Sequence, residues 1–321
     1  MTLSCDQQHA RTLGRPLIIT SAFSYGSEAL WPLLHSIEIH SPTAQVLVFT
    51  STQDLAQLSP LCERFPFLRL EPVRFPPRVI KGRMALLRKL AARCRSKLRR
   101  VRQLVLADQS VAIEQAPGWG LNTVHAHFLI RRFFWAQRYL QGCQDHDFSH
   151  VMLCDVRDVF LQSDPFSGLG DELVSGEEYR RIKDCPMNRG WLRQAYGPAV
   201  EHSLLQEMIL CAGVTLGSKK QIQIYLDLFC DEVLVVMRQA RTSCLSNLDQ
   251  AIHNTTLRRA RSIAFNPSPV NGRIATVGGV PASEVAVDEG SGLVRVMGRA
   301  SAVIHQYDRH QLLTQHVSGW Q

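Results

Sequence analysis

Short apolar runs alternate with helix-length amphipathic stretches through the first third of the chain. Pro16–Thr20 reads as a strand, followed by a Ser- and Gly-containing loop and a helix over Glu28–His40. Gln45–Thr50 is a second strand, Asp54–Phe65 a second helix and Phe67–Val73 a third strand. Strand and helix in this rhythm predict an α/β fold with a mainly parallel, Rossmann-like sheet, right-handed crossovers and flanking helices. Ligands of such sheets collect at the carboxyl ends of the strands, so Thr20, Ser21, Ala22 and Tyr25 form a candidate donor-binding edge.

The middle and end of the chain continue the pattern. Asn122–Gln141 reads as a helix rich in aromatics, His and Arg, leading into an apolar strand at His150–Cys154. Gly176–Gly197 reads as loop-rich, Ile209–Leu216 as a strand, Lys219–Gln239 and Leu245–Leu257 as helices, and Leu293–Ile304 as a final strand. No internal repeat or low-complexity linker interrupts this order. A single compact unit is expected, with a nucleotide-binding half at 16–165 and an acceptor half at 166–310.

Composition narrows the class. With 321 residues, 45% hydrophobic and 20% charged, the chain can bury a full core. The 9 cysteines are odd in number and include no CxxC pair, and several stand inside apolar runs, as at Cys154 and Cys211. This pattern fits buried thiols in a reducing compartment rather than a disulfide framework or a zinc site. The polar N-terminus lacks the apolar core of a secretory signal and no stretch reaches membrane-spanning length, so a cytoplasmic protein is expected.

The formal net charge of +8 calls for an acidic partner. Much of it falls between Arg78 and Ala107, where Leu87, Leu90, Cys94, Leu98, Val101 and Val105 recur at helical spacing among Arg and Lys. Such a helix is either a solvated face or a surface for an anionic membrane, which attracts it by about 1 kcal/mol per basic residue. A non-catalytic protein binding nucleic acid or anionic membrane through residues 78–107 is therefore the alternative function. No zinc finger, RNA-binding aromatic signature or recognition helix supports nucleic acid.

The most informative segment is Val151-Met-Leu-Cys-Asp-Val-Arg-Asp-Val-Phe-Leu-Gln-Ser-Asp-Pro-Phe166. A buried strand ends in Asp155, and Asp158 follows within one turn of chain. Two carboxylates at a strand end can share a hard divalent cation, since Mg²⁺ and Mn²⁺ prefer oxygen ligands and bridge to phosphate oxygens. Asp155 capping a turn and Asp158 pairing with Arg157 is the structural alternative. His and Asp are too sparse for the two-metal cluster of a phosphohydrolase.

This segment resembles the Asp-x-Asp region of nucleotide-sugar glycosyltransferases of the GT-A fold, where an acidic motif closes a strand and Asp-Pro-Phe follows. Three further pieces stand in the order that fold requires, and together the resemblance covers roughly residues 16 to 310. Ile209-Leu-Cys-Ala-Gly-Val-Thr-Leu-Gly217 is similar to the family's strand beside the donor sugar. Leu248-Asp-Gln-Ala-Ile-His-Asn254 resembles its Asp-Gln helix, and Val303-Ile-His-Gln-Tyr-Asp308 the late strand whose His joins the acidic motif on the metal.

The resemblance implies a sugar transferred from a nucleotide-sugar donor to a glycan, lipid or other acceptor hydroxyl. Its implied metal, Mn²⁺ or Mg²⁺, is held by Asp155, Asp158 and His305. Val156, Arg157, Ala212 and Gly213 would lie along the donor, and Asp249 and Gln250 would be catalytic. The sequence departs from the family in two places. Its two acids are three positions apart, with Arg157 where the second acid usually stands, and Ala251 replaces a frequent second acid after Gln250. Arg157 is thus also a candidate counter-charge for phosphate in place of the metal, because guanidinium binds phosphate bidentately.

Several of these residues admit a plainer role. His305 reads either as a metal ligand or as a hydrogen-bonded core residue. Asp249 reads as a general base, as an orienting group, or as a first-turn acid of its helix. In the 176–191 stretch, Glu177, Asn188 and Trp191 are candidate acceptor contacts, Trp191 also reading as core. Arg131 and Arg132 suit either donor phosphate or a solvated helix face. Partners are thus a nucleotide sugar and a glycan or lipid acceptor, with peripheral contact to an anionic membrane as an inference from charge.

Overall fold

The computed structural model describes residues 14–73, 128–239 and 248–320. The chain forms an α/β protein around a mixed, mostly parallel central sheet. In chain order the first elements are β1 (Arg15–Ala22), α1 (Ser27–His40), β2 (Gln45–Ser51), α2 (Leu55–Leu58), α3 (Pro60–Arg64) and β3 (Leu68–Val73). There follow α4 (Phe128–Gln141), β4 (Phe148–Cys154), β5 (Val159–Leu161), β6 (Leu173–Arg181), α5 (Pro186–Tyr196), α6 (Pro198–Leu204) and β7 (Met208–Ser218). The remainder comprises α7 (Lys219–Gln239), α8 (Asp249–Arg259), β8 (Phe265–Ser268), β9 (Ile274–Thr276), β10 (Val285–Val287), β11 (Val294–Val296), β12 (Arg299–Ala300), β13 (Val303–His305) and α9 (Gln311–Ser318).

The large sheet runs in the order β3-β2-β1-β4-β7-β6-β9-β13-β5, with β8 alongside β6. The first four strands are mutually parallel, β7 is antiparallel to both its neighbours, and β13 pairs parallel to β9 and antiparallel to β5. This arrangement is compatible with a Rossmann-like fold. From β1 the chain builds outward to β2 and β3 on one side, then returns to place β4 on the other. The carboxyl ends of β1 and β4 therefore flank a topological switch point, where open α/β sheets leave a crevice for ligands.

The alternation of side chains across the pleat divides the core in two. Leu17, Ile19, Leu47, Phe49, Val151 and Leu153 pack on one face, among residues of α4, α7 and α8. Ile18, Val46, Val48, Met152 and Cys154 pack on the other, against Leu30, Leu33, Leu34 and Ile37 of α1. A smaller core joins Phe160, Ile304, Val294, Val296, Leu313 and Val317 beneath the three-stranded sheet of β10, β11 and β12. The six cysteines of the described residues are free thiols. No helix among those residues is long and apolar enough to cross a membrane.

Three stretches differ from expectation. The helix predicted over Asp54–Phe65 divides into α2 and α3, because Pro60 has no N–H to continue the ladder and instead opens the second helix. The loop-rich reading of Gly176–Gly197 is wrong. Residues as far as Arg181 extend β6, and Pro186 then starts α5, which stops at Gly197 with φ +84°. The single strand expected over Leu293–Ile304 is β11, β12 and β13. Met297 and Gly298 both take positive φ, 50° and 77°, which turns β11 back onto β12 in a two-residue hairpin. The basic helix expected between Arg78 and Ala107 lies outside the described residues.

Candidate active site

β4 ends at Cys154, and the next residue leaves the sheet while still held by it: the Asp155 amide donates to the Gly213 carbonyl of β7 at 2.8 Å. A short turn then carries Asp158 inward, and its carbonyl accepts from the Gln306 amide at 2.8 Å. That bond fixes the end of β13. Gln306 adopts a left-handed φ of 62°, so the chain turns away just after His305. The three residues meet, their potential ligand atoms all within 4.8 Å of one another.

His305 is 1% exposed. Its Nε2 has no hydrogen-bond partner and lies 3.6 Å from Asp155 Oδ2 and 3.9 Å from Asp158 Oδ1. On its other side Nδ1 faces Thr276 Oγ1 at 3.5 Å and Cys211 Sγ at 3.8 Å. Two oxygen or nitrogen ligands at about 2.1 Å from one octahedral ion stand roughly 3 Å apart when adjacent and roughly 4 Å when opposite. The observed separations fall inside that span. An orphaned imidazole nitrogen aimed at two carboxylates fits a divalent cation, and the neutral His–carboxylate donor set suits Mn²⁺ or Mg²⁺.

Gly213 makes this approach possible. A Cβ there would stand 2.3 Å from His305 Cε1, 2.5 Å from its Nε2 and 2.8 Å from Asp155 Oδ2. Only a residue without a side chain lets β7 pass behind the cluster.

Arg132, projected from α4, is the hub of the charges. Its Nη1 donates to Asp155 Oδ1, and its Nη2 donates to the Ala212 carbonyl at 3.2 Å and lies 3.6 Å from Asp249 Oδ2. Burial works to raise the Asp155 carboxyl, yet the Arg132 guanidinium and then His305 hold it well below the usual carboxylate range. Burial raises Asp158 and Asp249, with His305 and Arg132 respectively opposing the rise. Without metal, the surrounding carboxylates and thiol hold the His305 imidazole above its ordinary value, although burial opposes its charge. Arg132 faces Asp155 and Asp249, and Asp158 adds a third carboxylate on the His305 side, so the acids outnumber the arginine and a divalent cation would offset their charge.

Asp249 and Gln250 open α8 beside this cluster. Gln250 Nε2 donates to Glu178 Oε1 at 2.7 Å and to Asn188 Oδ1 at 3.2 Å, and its Oε1 accepts from the Ala212 amide at 3.4 Å. The helix is fixed from behind by Asn254, whose side chain accepts from the Leu210 amide at 2.9 Å and donates to the Leu210 carbonyl at 2.7 Å. Here β7 departs from regular pairing with β6, and Asn254 satisfies the backbone groups that the irregularity frees.

Thus Asp155, Asp158, His305, Arg132, Ala212, Gly213, Asp249 and Gln250 are brought together, with Asn188 reaching Gln250. Other candidates stand differently. Thr20 is buried at the end of β1 and lines a small cavity with Arg132, Cys154 and Ala212. Ser21 is half-buried, and Tyr25 packs against the α1 side of the core. Ala22 and Val156 bury their side chains in that core, so only their backbone is on offer to a ligand. Arg157 is 55% exposed and donates to Asp308 Oδ2 at 2.7 Å, while Arg132 occupies the position beside the acids. Glu177 faces Leu210 and is raised by burial, and it is Glu178 that touches Gln250. Trp191 packs against the core, as its plainer reading has it.

Thr276, Cys211 and Glu178 were missed. Glu178 stood in a flagged stretch one position from Glu177. Strand alternation separates the two, and a loop reading of the stretch does not carry that signal. Thr276 and Cys211 carry no sequence signal of their own. Comparison with protein-family models and with curated protein sequences yields no match.

Proposed function

We propose that this protein is a glycosyltransferase of GT-A type, moving a sugar from a nucleotide-sugar donor to an acceptor hydroxyl. One observation carries the reading. Asp155, Asp158 and His305, drawn from two motifs 150 positions apart, bring their potential ligand atoms within 4.8 Å of one another, and a third motif brings Asp249 to Arg132, the arginine that also holds Asp155. Chance clustering of acids does not account for the glycine behind them or for the orphaned Nε2 at their centre.

In this reading Asp155, Asp158 and His305 hold Mn²⁺ or Mg²⁺. Bound there, the cation supplies the positive charge that stabilises a nucleoside diphosphate as it leaves. Arg132 keeps Asp155 and Asp249 ionised and fixed, so that neither rotates into the other. Asp249, its carboxyl raised by burial, is the group placed to take a proton from the acceptor hydroxyl. Gln250, held by Glu178 and Asn188, presents a fixed amide to the transferred sugar.

The test is thermal melting of wild type and Asp158→Ala with UDP-, GDP- and CMP-sugars, with and without Mn²⁺. A donor present at 100 times its Kd raises stability by about 2.7 kcal/mol. A donor-specific rise that needs Mn²⁺ and vanishes in the variant is expected. The absence of a rise with every donor overturns the proposal.

A further inference from the structure

β6 does not end at the site. After Glu178, whose carboxylate holds Gln250, the strand continues through Tyr179, Arg180 and Arg181 into a short 3₁₀ turn at Ile182–Asp184. These residues form the wall of an open groove lined by Tyr179, Arg180, Arg181, Lys183, Asp184 and Met208. Three cations face one carboxylate there, and none of the three forms a salt bridge among the described residues. Arg181 donates to the Gln206 carbonyl and Lys183 to Gln206 Oε1 at 3.1 Å. Arg180 is exposed and makes no hydrogen bond among the described residues. The cations of α5 are arranged otherwise: Arg189 and Arg193 each pair with an oxygen of the Glu201 carboxylate.

Three cations against the single carboxylate of Asp184 leave the concavity with an excess of positive charge, and an anionic ligand relieves the repulsion among them. Two guanidiniums and an ammonium match a phosphate ester, which takes bidentate bonds from the first and a point charge from the second. Tyr179, 40% exposed, adds an apolar face beside the charge. A strand rises about 3.3 Å per residue, so the cations begin roughly 7 Å along β6 from the residue that holds Gln250. The donor's own diphosphate belongs at the Asp155 cluster, leaving the groove to the other substrate.

We propose that this groove binds a phosphate ester carried by the acceptor, so that the acceptor substrate is a phosphorylated one. The assignment of that phosphate to the acceptor rests on the transferase reading; the groove's affinity for phosphate esters does not. The ester belongs either to a soluble molecule or to a lipid headgroup, and the experiment distinguishes them.

The full chain in EDTA is titrated calorimetrically with phenyl phosphate and, separately, cosedimented with vesicles of phosphatidic acid in phosphatidylcholine. Wild type is compared with the double variant Arg180→Ala/Lys183→Ala, whose two side chains are exposed and outside the core. Binding that weakens about tenfold in the variant is expected, on the scale of two partly exposed charge-assisted contacts. Loss in the phenyl phosphate arm assigns a soluble ester, and loss in the vesicle arm alone assigns a lipid-borne one. Binding unchanged by the substitutions, or no binding in either arm, overturns the proposal. The Mn²⁺-dependent melting shift with nucleotide sugar is measured on both proteins. Its presence in the variant shows the donor site intact, and its absence from wild type counts against the transferase reading alone.

Discussion

Replacing Gly213 by alanine tests the site at its tightest point. The added methyl would stand 2.3 and 2.5 Å from two atoms of the His305 ring and 2.8 Å from Asp155 Oδ2. His305 has nowhere to retreat: it is 1% exposed, with Thr276 Oγ1 at 3.5 Å and Cys211 Sγ at 3.8 Å behind it. Overpacking of this kind costs about 1–3 kcal/mol. With an unfolding entropy of about 2.1 cal/mol/K per residue, a chain of this length loses roughly 2–4 °C in Tm. The larger effect falls on metal. A cation at 1,000 times its Kd stabilises wild type by about 4.1 kcal/mol, roughly 6 °C on the same scale. In Gly213→Ala the imidazole and Asp155 are forced apart, and that increment is expected to vanish. The assay is thermal melting in EDTA against a Mn²⁺ series. Gly190→Ala is the control, since a Cβ there meets nothing within 4 Å and a glycine inside a helix gains stability on becoming alanine. A Gly213→Ala protein with the wild-type Mn²⁺ increment refutes the geometry argued for the cluster.

Three further outcomes follow from the same structure. Asp249→Asn keeps the shape but removes the base and its charge beside Arg132, so donor turnover is expected to fall by about 10²–10⁴ while donor-induced melting shifts persist; turnover within a factor of a few contradicts the role. His253 is fully buried between Ser175 Oγ at 2.8 Å and the Tyr225 hydroxyl at 2.7 Å, and burial lowers its pKa to about 3. Below the ordinary pKa of about 6.5 the unfolded chain binds a proton that the folded one refuses, so this contribution is full above 6.5 and is lost as pH falls toward 3. The slope is about 1.4 kcal/mol per pH unit, and His253→Gln should lose about 2 kcal/mol less than wild type between pH 6.5 and 5 in urea unfolding. Equal losses in the two proteins would discredit the buried neutral imidazole. Asn254→Ala strands the amide and carbonyl of Leu210, at about 1–3 kcal/mol for each group, which calorimetry would register as a Tm lower by several degrees.

Part of the site is legible in the residues and part only in the order of its motifs. Asp155 closes an apolar strand and is legible from the residues themselves, whereas Asp249 and His305 stand out only through the resemblance of their segments to the family's motifs. Arg132 was visible only as one of two adjacent arginines on a helix, and nothing in the chain separates it from Arg131. What selects it is the face of α4 that packs against β1 and β4, a property of the assembled layers. Arg157 is the opposite case. Its place inside the acidic motif made it a phosphate ligand on paper, but the turn after Asp155 points it outward to Asp308.

The continuous apolar runs at Leu17–Ile19, Val46–Phe49 and Val151–Cys154 mark the parallel strands β1, β2 and β4 in the sequence itself, since a strand buried on both faces needs apolar residues at every position. The extension of β6 through a polar stretch was decided by tertiary structure: Glu177 to Arg181 are held in the sheet by pairing with β7, without an apolar face of their own. So was the hairpin that divides the last strand, where Met297 takes a positive φ that no residue preference would assign to methionine. The cluster itself belongs to the same class. Composition supplied its carboxylates and imidazole, but only the antiparallel course of β7 brings Gly213 behind Asp155 and His305, and a glycine's value lies in what approaches it. Local sequence encodes which chemistry is available; long-range packing encodes which groups lie close enough to share one ion.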